Sequence, residues 1–459
     1  MFKPLLKFTI FLALILNSRT TFSQENDPDI YKIYAKQVEQ LLDSRGTPRR
    51  QQDSILKEYA TLNISSNDDF AKHLAKLYPE STSNGFIFYF FNQNNLRIIF
   101  FTPGKVVETK NVTVTKEELT ELIADLNEKI GISAQTKNRM PRLRGAEIIN
   151  QSKPSSISLD SLISKATKLL LPSSFDTTYK HITIVPALNI GTFPFHILRP
   201  YQNSTFLIER CSFAIAPGIV DLFAKRERYL KTQRSFSDLP EKYADEFRLG
   251  NVAGFTLENP LFIGNPAYPT DSAYYFPSLP GAEKEILEAT QYAKKYTLLM
   301  GKKATKDSVF THLNNADLAY FATHGIASNK DPMNKSFIVL SGKSPYLTAK
   351  EIMNWKGKFP EMVILSACQT GLGKSMDAGM AGLARSFLLA GSHFVIMSLW
   401  NVDDEATSYL MSRFMFHLQE PSRYMPSDQL RLATMDAMKK YSKISHWASF
   451  SFFGVDWGE

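Results

Sequence analysis

The stretches Leu318-Ala-Tyr-Phe-Ala-Thr-His324-Gly325 and Met362-Val-Ile-Leu-Ser-Ala-Cys368-Gln369-Thr-Gly371 decide the fold class. Each is a short run of mostly apolar residues that ends in a polar residue and a glycine, the pattern of a buried strand in a parallel sheet. His324 and Cys368 then stand at the carboxyl ends of two strands. In open α/β sheets that edge is where ligands bind, so two reactive groups from different strands can converge there without relying on a flexible loop. Gly325 and Gly371 let the backbone turn sharply and leave room for a substrate chain.

The chemistry of the pair follows from acidity. A thiol is a poor nucleophile until it becomes a thiolate, and a nearby imidazole both lowers its pKa and later protonates a leaving amine. Cysteine is among the most buried residue types, and a strand-end histidine often has only a structural hydrogen bond, so either residue alone would read as structural. Together they read as a hydrolytic pair. A second motif overlaps them: Cys368-Gln-Thr-Gly-Leu-Gly373-Lys374-Ser375 approaches the phosphate-binding form G-x-x-x-x-G-K-[ST], with a strand before it and a helix expected after it. Cysteine occupies the place of the first glycine, and the thiol reading is preferred.

Ser366-Ala-Cys368-Gln-Thr-Gly371 is close to the signature Gln-Ala-Cys-x-Gly of caspases, whose histidine lies about 50 residues upstream; here the separation is 368 − 324 = 44 residues. Ordered matches extend well beyond it. They include Ile182-Thr-Ile-Val-Pro186, Phe193-Pro-Phe-His-Ile-Leu198, Phe262-Ile-Gly-Asn-Pro266, Leu279-Pro-Gly-Ala-Glu283-Lys-Glu285, Leu347-Thr-Ala-Lys-Glu351-Ile352, Gly382-Leu-Ala-Arg385-Ser-Phe387 and Ser398-Leu-Trp400-Asn-Val-Asp403-Asp404. From residue 85 onward the chain resembles the CHAT family, caspase-like domains related to separase and other caspase-fold cysteine peptidases. The resemblance implies an α/β fold with a caspase-like open sheet of mostly parallel central strands flanked by helices. It also implies a catalytic dyad of His324 and Cys368, with the amides of Gly325 and Cys368 as oxyanion donors. Gln369 stands where many relatives have glutamate, a change that neither adds nor removes a reacting group.

Phe394-Val-Ile-Met-Ser-Leu-Trp400 reads as a third buried strand ending at the same edge, with Asp403 and Asp404 directly after it. In relatives such as separase an acidic residue in this neighbourhood helps receive a basic side chain before the cleaved bond, which makes Asp403 and Asp404 substrate-binding candidates for arginine or lysine. The same carboxylates are also suited to capping a helix over residues 405–418. Both readings stand, since one carboxylate can cap while its neighbour faces the cleft.

Of 459 residues, 44% are hydrophobic and 21% charged, the composition of a folded globular protein with room for several domains. Lys3 and Lys7 precede an apolar run over residues 8–16, and Thr21-Phe22-Ser23 offers small residues for cleavage. Residues 1–23 thus read as a signal peptide, which predicts a secreted or periplasmic protein without a membrane span in the mature chain. Removing Lys3, Lys7 and Arg19 lowers the formal charge from +8 to +5, with no basic stripe of the kind that binds nucleic acid. Cys211 is expected in the core, not paired with Cys368. No Cys/His spacing suggests zinc, and the chemistry requires no cofactor.

Four regions follow: 1–23; a helical region, 24–83; the first half of the main domain, 84–254; and the catalytic half, 255–459. Helical stretches are expected over residues 30–42, 53–59 and 68–77, as a remnant cap or a surface for a protein partner. Gly85-Phe-Ile-Phe-Tyr-Phe-Phe91 and Leu96-Arg-Ile-Ile-Phe-Phe101 read as a hairpin, and Lys116–Lys129 as an amphipathic helix. Met376, Met380, Leu383 and Phe387 are expected on the core face of a helix starting near Cys368, whose positive end would favour a thiolate. Basic loops at 133–158 and 225–248 are ordinary solvated loops or sites of self-cleavage. Two functions are in play: a cysteine peptidase acting on peptides or proteins, or a binding and signalling module of the same fold, inactive or switched on by a partner.

Overall fold

The computed structural model describes residues 66–78, 83–92, 94–131, 157–201, 204–219, 222, 223, 226, 257–270, 274–328, 331–368, 375, 376, 379, 380, 382–400, 403–419 and 425–455; residues 92, 188, 189, 368, 375, 376, 379 and 380 are described through their backbone. Residues 1–23, read above as a signal peptide, the first two expected helical stretches, the segment after Cys368 and all but the ends of the two expected basic loops lie outside the described residues.

Strands β1 (Asn84–Asn92), β2 (Asn95–Thr102) and β3 (Lys105–Thr113) form an antiparallel meander, with Phe86 opposite Phe101 and Asn92 opposite Asn95. The expected hairpin is therefore present. Because successive side chains point to opposite faces, Phe86, Phe88 and Phe90 of β1 enter one apolar cluster while Ile87 and Tyr89 enter another. Helix α1 (Asn67–Leu77) covers the first face through Phe70, Ala71, Leu74 and Leu77; Ser66 caps it by accepting a hydrogen bond from the Asp69 amide at 3.1 Å. Helices α2 (Lys116–Lys129) and α3 (Leu159–Leu170) contribute to the other cluster, α2 beginning in a reciprocal capping box between Thr115 and Glu118. Burial on both faces explains why β1 and β2 read as unbroken apolar runs, whereas the partly exposed β3 does not.

The remaining strands of the sheet are β4 (His181–Val185), β5 (Ser212–Ile215), β6 (Leu261–Pro266), β7 (Thr297–Gly301), β8 (Leu318–Ile326), β9 (Phe337–Val339), β10 (Tyr346–Thr348), β11 (Met362–Cys368), β14 (Phe394–Ser398) and β15 (Phe450–Gly454). The main order is β7-β6-β8-β11-β14-β15-β5-β4-β1-β2-β3. Strands β7, β6, β8, β11 and β14 are mutually parallel, and so are β15, β5, β4 and β1. The two blocks meet at the antiparallel pair β14/β15. A C-terminal strand thus joins both halves of the domain in one sheet. Beyond β6, the end of β8 takes up β9, which pairs in turn with β10.

Helices α4 (Pro280–Thr290), α5 (Lys306–Leu313), α6 (Ala349–Asn354), α7 (Leu383–Ala390), α8 (Asp404–Gln419) and α9 (Pro426–Lys440) accompany the strands from β6 onward. α4 lies close on β6, where a Cβ at Gly264 would stand 3.0 Å from Ile286. Phe387 of α7 packs against Phe321 and Phe359, at ring-centre distances of 5.9 and 5.7 Å.

The helix expected just after the cysteine turn starts later than its apolar spacing suggests. Met376 and Met380 belong to a two-stranded ribbon, β12 (Ser375–Met376) with β13 (Gly379–Met380), and only Leu383 and Phe387 lie on α7. Gly382 at the N-cap has φ of +129°, outside the helical range of L-residues, so the helix starts after it. A strand pair also replaces the helix that a phosphate-binding loop would need, and the support for a thiolate expected from this helix's positive end loses its basis.

Candidate active site

In the parallel pairing of β8 with β11, Cys368 is the register partner of His324, just as Ser366 partners Ala322 and Ile364 partners Tyr320. Adjacent strands lie about 4.8 Å apart, so the two backbones present both residues side by side at the carboxyl edge. Buried hydrogen bonds anchor the residue preceding each of them. Thr323 Oγ1 donates to the Val339 carbonyl at 2.7 Å, and Ser398 Oγ donates to the Ala367 carbonyl at 2.9 Å. This ties β8 to β9 and β11 to β14 one step before His324 and Cys368.

The environment of His324 sets its tautomer. Its Nε2 lies 2.8 Å from the Pro277 carbonyl oxygen, which can only accept, so Nε2 carries the hydrogen. In the neutral ring the lone pair is then on Nδ1. Tyr268 meets the imidazole edge-to-face at 4.7 Å, and Phe276 lies 5.3 Å away. These rings belong to an aromatic group with Tyr274, Phe337 and Tyr346. Burial lowers the His324 pKa, partly opposed by the bond to Pro277, which favours the charged form. Burial thus favours the neutral form of the imidazole.

Gly325 is buried and pairs with Ile338 of β9. Asp403 and Asp404 are both exposed at the end of the β14 segment, with different surroundings. Asp403 Oδ1 accepts from the amides of Glu405 and Ala406 at 3.1 and 3.2 Å, which makes Asp403 the cap of α8. The Asp404 carboxylate lies over the first turn of α4, where a Cβ on Gly281 would be 2.4 Å from Oδ2. α4 follows directly on the loop that carries Pro277, so Asp404 borders the same rim as the imidazole.

Beneath this rim, on the face shared by Tyr320, Ala322 and His324, lies Glu285 of α4. It is 6% exposed and bonds to the hydroxyls of Tyr320 and Ser366, which lie on the two strands that carry His324 and Cys368. Burial pushes its carboxyl up to about 7, with Asp404 and Glu288 adding repulsion. Sequence reasoning assigned no role to Pro277 or Glu285, although Glu285 falls in a quoted matching stretch. A backbone carbonyl has no residue signature, and the buried carboxyl is marked only by its place beside Ile286 on the helix. Cys211 is a fully buried free thiol, as expected, and its pKa is raised by that burial. Among the described residues no helix is long and apolar enough to cross a membrane.

A family model described as "CHAT domain" matches residues 160–455. Tetratricopeptide repeat protein 28 of Mus musculus is 23% identical over 300 residues, which cover 57% of this chain and 12% of that protein. The Homo sapiens protein of the same name is 22% identical over 315 residues, covering 61% of this chain and 12% of that protein. The chain thus spans about an eighth of the length of these relatives. In the crystal structure of the Saccharomyces cerevisiae separase–securin complex, one chain superposes with a TM-score of 0.51 at 13% identity, covering 93% of this chain and 33% of that one. The fold is caspase-like, an α/β sheet of mostly parallel strands with flanking helices.

Proposed function

The chain belongs to the CHAT domain family, and from that premise we propose that it is a cysteine endopeptidase in which Cys368 attacks the peptide carbonyl and His324 moves the proton. The observation that carries this reading is the register match of Cys368 with His324, combined with the commitment of His324 Nε2 to the Pro277 carbonyl. Nδ1 accepts the thiol proton, the thiolate adds to the carbonyl carbon, and the amides of Gly325 and Cys368 stabilise the oxyanion. His324 then gives its proton to the leaving amine. Water, deprotonated by the same imidazole, releases the acid from the acyl-enzyme.

Arginine or lysine is the residue proposed before the cleaved bond. Asp403 or Asp404 would receive the basic side chain; Asp403 also caps α8, and Asp404 is the candidate that lies over the first turn of α4, beside the Pro277 loop. Export by way of residues 1–23 belongs to the same proposal, and N-terminal sequencing of protein recovered outside the cytoplasm tests it.

Iodoacetamide labelling tests the peptidase reading against a binding module of the same fold. The buried Cys211 is expected to react slowly and Cys368 much faster, with cleavage of Arg or Lys peptides lost in Cys368→Ala. Equal, slow labelling of both thiols together with no cleavage would favour the binding module.

A further inference from the structure

His324 is oriented by a carbonyl on a loop, and such a loop needs something to fix it. Pro277 and Ser278 are exposed, and the adjacent Tyr275 is 70% exposed. The element that reaches this loop is β6. Between Gly264 and Pro266 the register of β6 against β7 slips, and Asn265, in the slip, has φ of +40°. A bulge of this kind re-aims a side chain, and the positive φ is a conformation that L-residues other than asparagine and aspartate rarely adopt.

The redirected carboxamide is used at both ends. Oδ1 accepts from the Leu279 amide at 2.8 Å and lies 3.3 Å from Ser278 Oγ. Nδ2 donates to Ser278 Oγ at 3.2 Å and to Glu283 Oε2 at 3.1 Å. Asn265 therefore grips the two residues that follow Pro277 and the first turn of the helix they lead into.

We propose that Asn265 is a positioning residue that holds the Pro277 carbonyl in line with His324 Nε2 and thereby keeps Nδ1 as the basic nitrogen of the dyad. The inference rests on the peptidase reading for its kinetic consequence, but its structural content is a statement about one tautomer. Displacing a catalytic group by about 1 Å costs on the order of a hundredfold in rate while leaving substrate contacts elsewhere intact. Loss of the grip should therefore lower kcat and spare KM.

The test compares the full chain with Asn265→Gly, in which glycine takes the positive φ without strain and only the carboxamide is lost. Three measurements are made: 15N chemical shifts of the His324 ring, kcat and KM on an arginine peptide, and thermal stability. The expected result is a wild-type ring protonated at Nε2, a mixed or reversed tautomer in the variant, and kcat lower by about tenfold or more with KM little changed and the melting temperature retained. An Nε2–H tautomer unaltered in Asn265→Gly, with kcat within about threefold of wild type, would overturn the proposal. A wild type that neither cleaves nor labels at Cys368 would sink the peptidase reading instead, and the ring shifts would still decide the inference. Should Asn265→Gly fail to fold, Asn265→Asp decides. It sets a carboxylate against Glu283 and should disturb the tautomer, whereas Asn265→Asp with Glu283→Gln exchanges donor and acceptor and should restore it. Identical His324 shifts in those two variants would equally refute the role.

Discussion

Replacing Glu285 with glutamine should reshape the pH dependence of stability. Glu285 is 6% exposed between α4 and the sheet; Tyr320 donates its hydroxyl to it and Ser366 shares a hydrogen bond. Burial is the largest influence on its acidity; the two hydrogen bonds pull the pKa down, Asp404 and Glu288 push it up, and the result is about 7 against an ordinary 4.5. Since the folded-state value lies above the unfolded one, the folded protein holds this proton more tightly. The stabilisation is fully present below pH 4.5 and is lost as pH rises through about 7. At 1.36 kcal/mol per unit the loss is about 3 kcal/mol, on the order of a fifth to a half of the stability of a typical protein.

Histidines in the same molecule act in the opposite sense. Burial holds His181 near 4 and His196 near 3, so each costs stability as pH falls below 6.5. Both remain in Glu285→Gln and cancel when variant and wild type are compared at one pH. Glutamine keeps an oxygen for the Tyr320 hydroxyl and a donor for Ser366 but cannot ionise. Between pH 5 and pH 8 the variant should therefore gain about 2 kcal/mol on wild type, measured by urea unfolding followed by tryptophan fluorescence. Parallel stability profiles, with the difference constant to within about 0.5 kcal/mol, would refute the reasoning and mean that Glu285 stays charged in the fold.

Four further outcomes are expected. The acid limb of kcat/KM on a basic peptide should have its midpoint below 6.5, because burial lowers the His324 pKa; a midpoint above 7 would contradict that environment. Asp404→Asn should reduce kcat/KM for arginine peptides by about tenfold or more, while Asp403→Asn, which still caps α8, should change stability and cleavage little; the reverse order would reassign the acidic determinant. Gly281→Ala should destabilise the protein by about 1–3 kcal/mol, because its Cβ would meet the Cβ of Asp404 at 2.6 Å as well as the carboxylate, and Asp404→Gly in that background should recover most of the loss in a melting experiment. Phe387→Ala should cost about 3–5 kcal/mol in urea unfolding, since Phe387 is fully buried against Phe321 and Phe359; a loss below about 1 kcal/mol would mean that α7 does not pack there in solution.

What the sequence disclosed, and what it withheld, follows from the range of the forces involved. The strands ending at His324 and Cys368, the hairpin β1/β2 and helix α2 are written in contiguous residues, so local pattern is enough. The seating of β15 between β14 and β5 is not, because strand order is settled by which apolar edges meet in three dimensions. The start of α7 was misplaced because methionines at helical spacing outweighed Gly379 and Gly382, although the positive φ of Gly382 excludes a continuous helix. At the site the division has a chemical origin. Cysteine and histidine announce themselves by residue type, but the orientation of the imidazole depends on a carbonyl that any residue possesses, and its delivery depends on a bulge at Asn265 twelve residues earlier. Among the described residues it is the Pro277 carbonyl that bonds the ring and fixes the tautomer, and burial against the aromatic wall lowers the pKa while that bond opposes the shift. The candidate site therefore reads as two residues in the sequence, and as a carbonyl on a loop held by a bulged strand once folded.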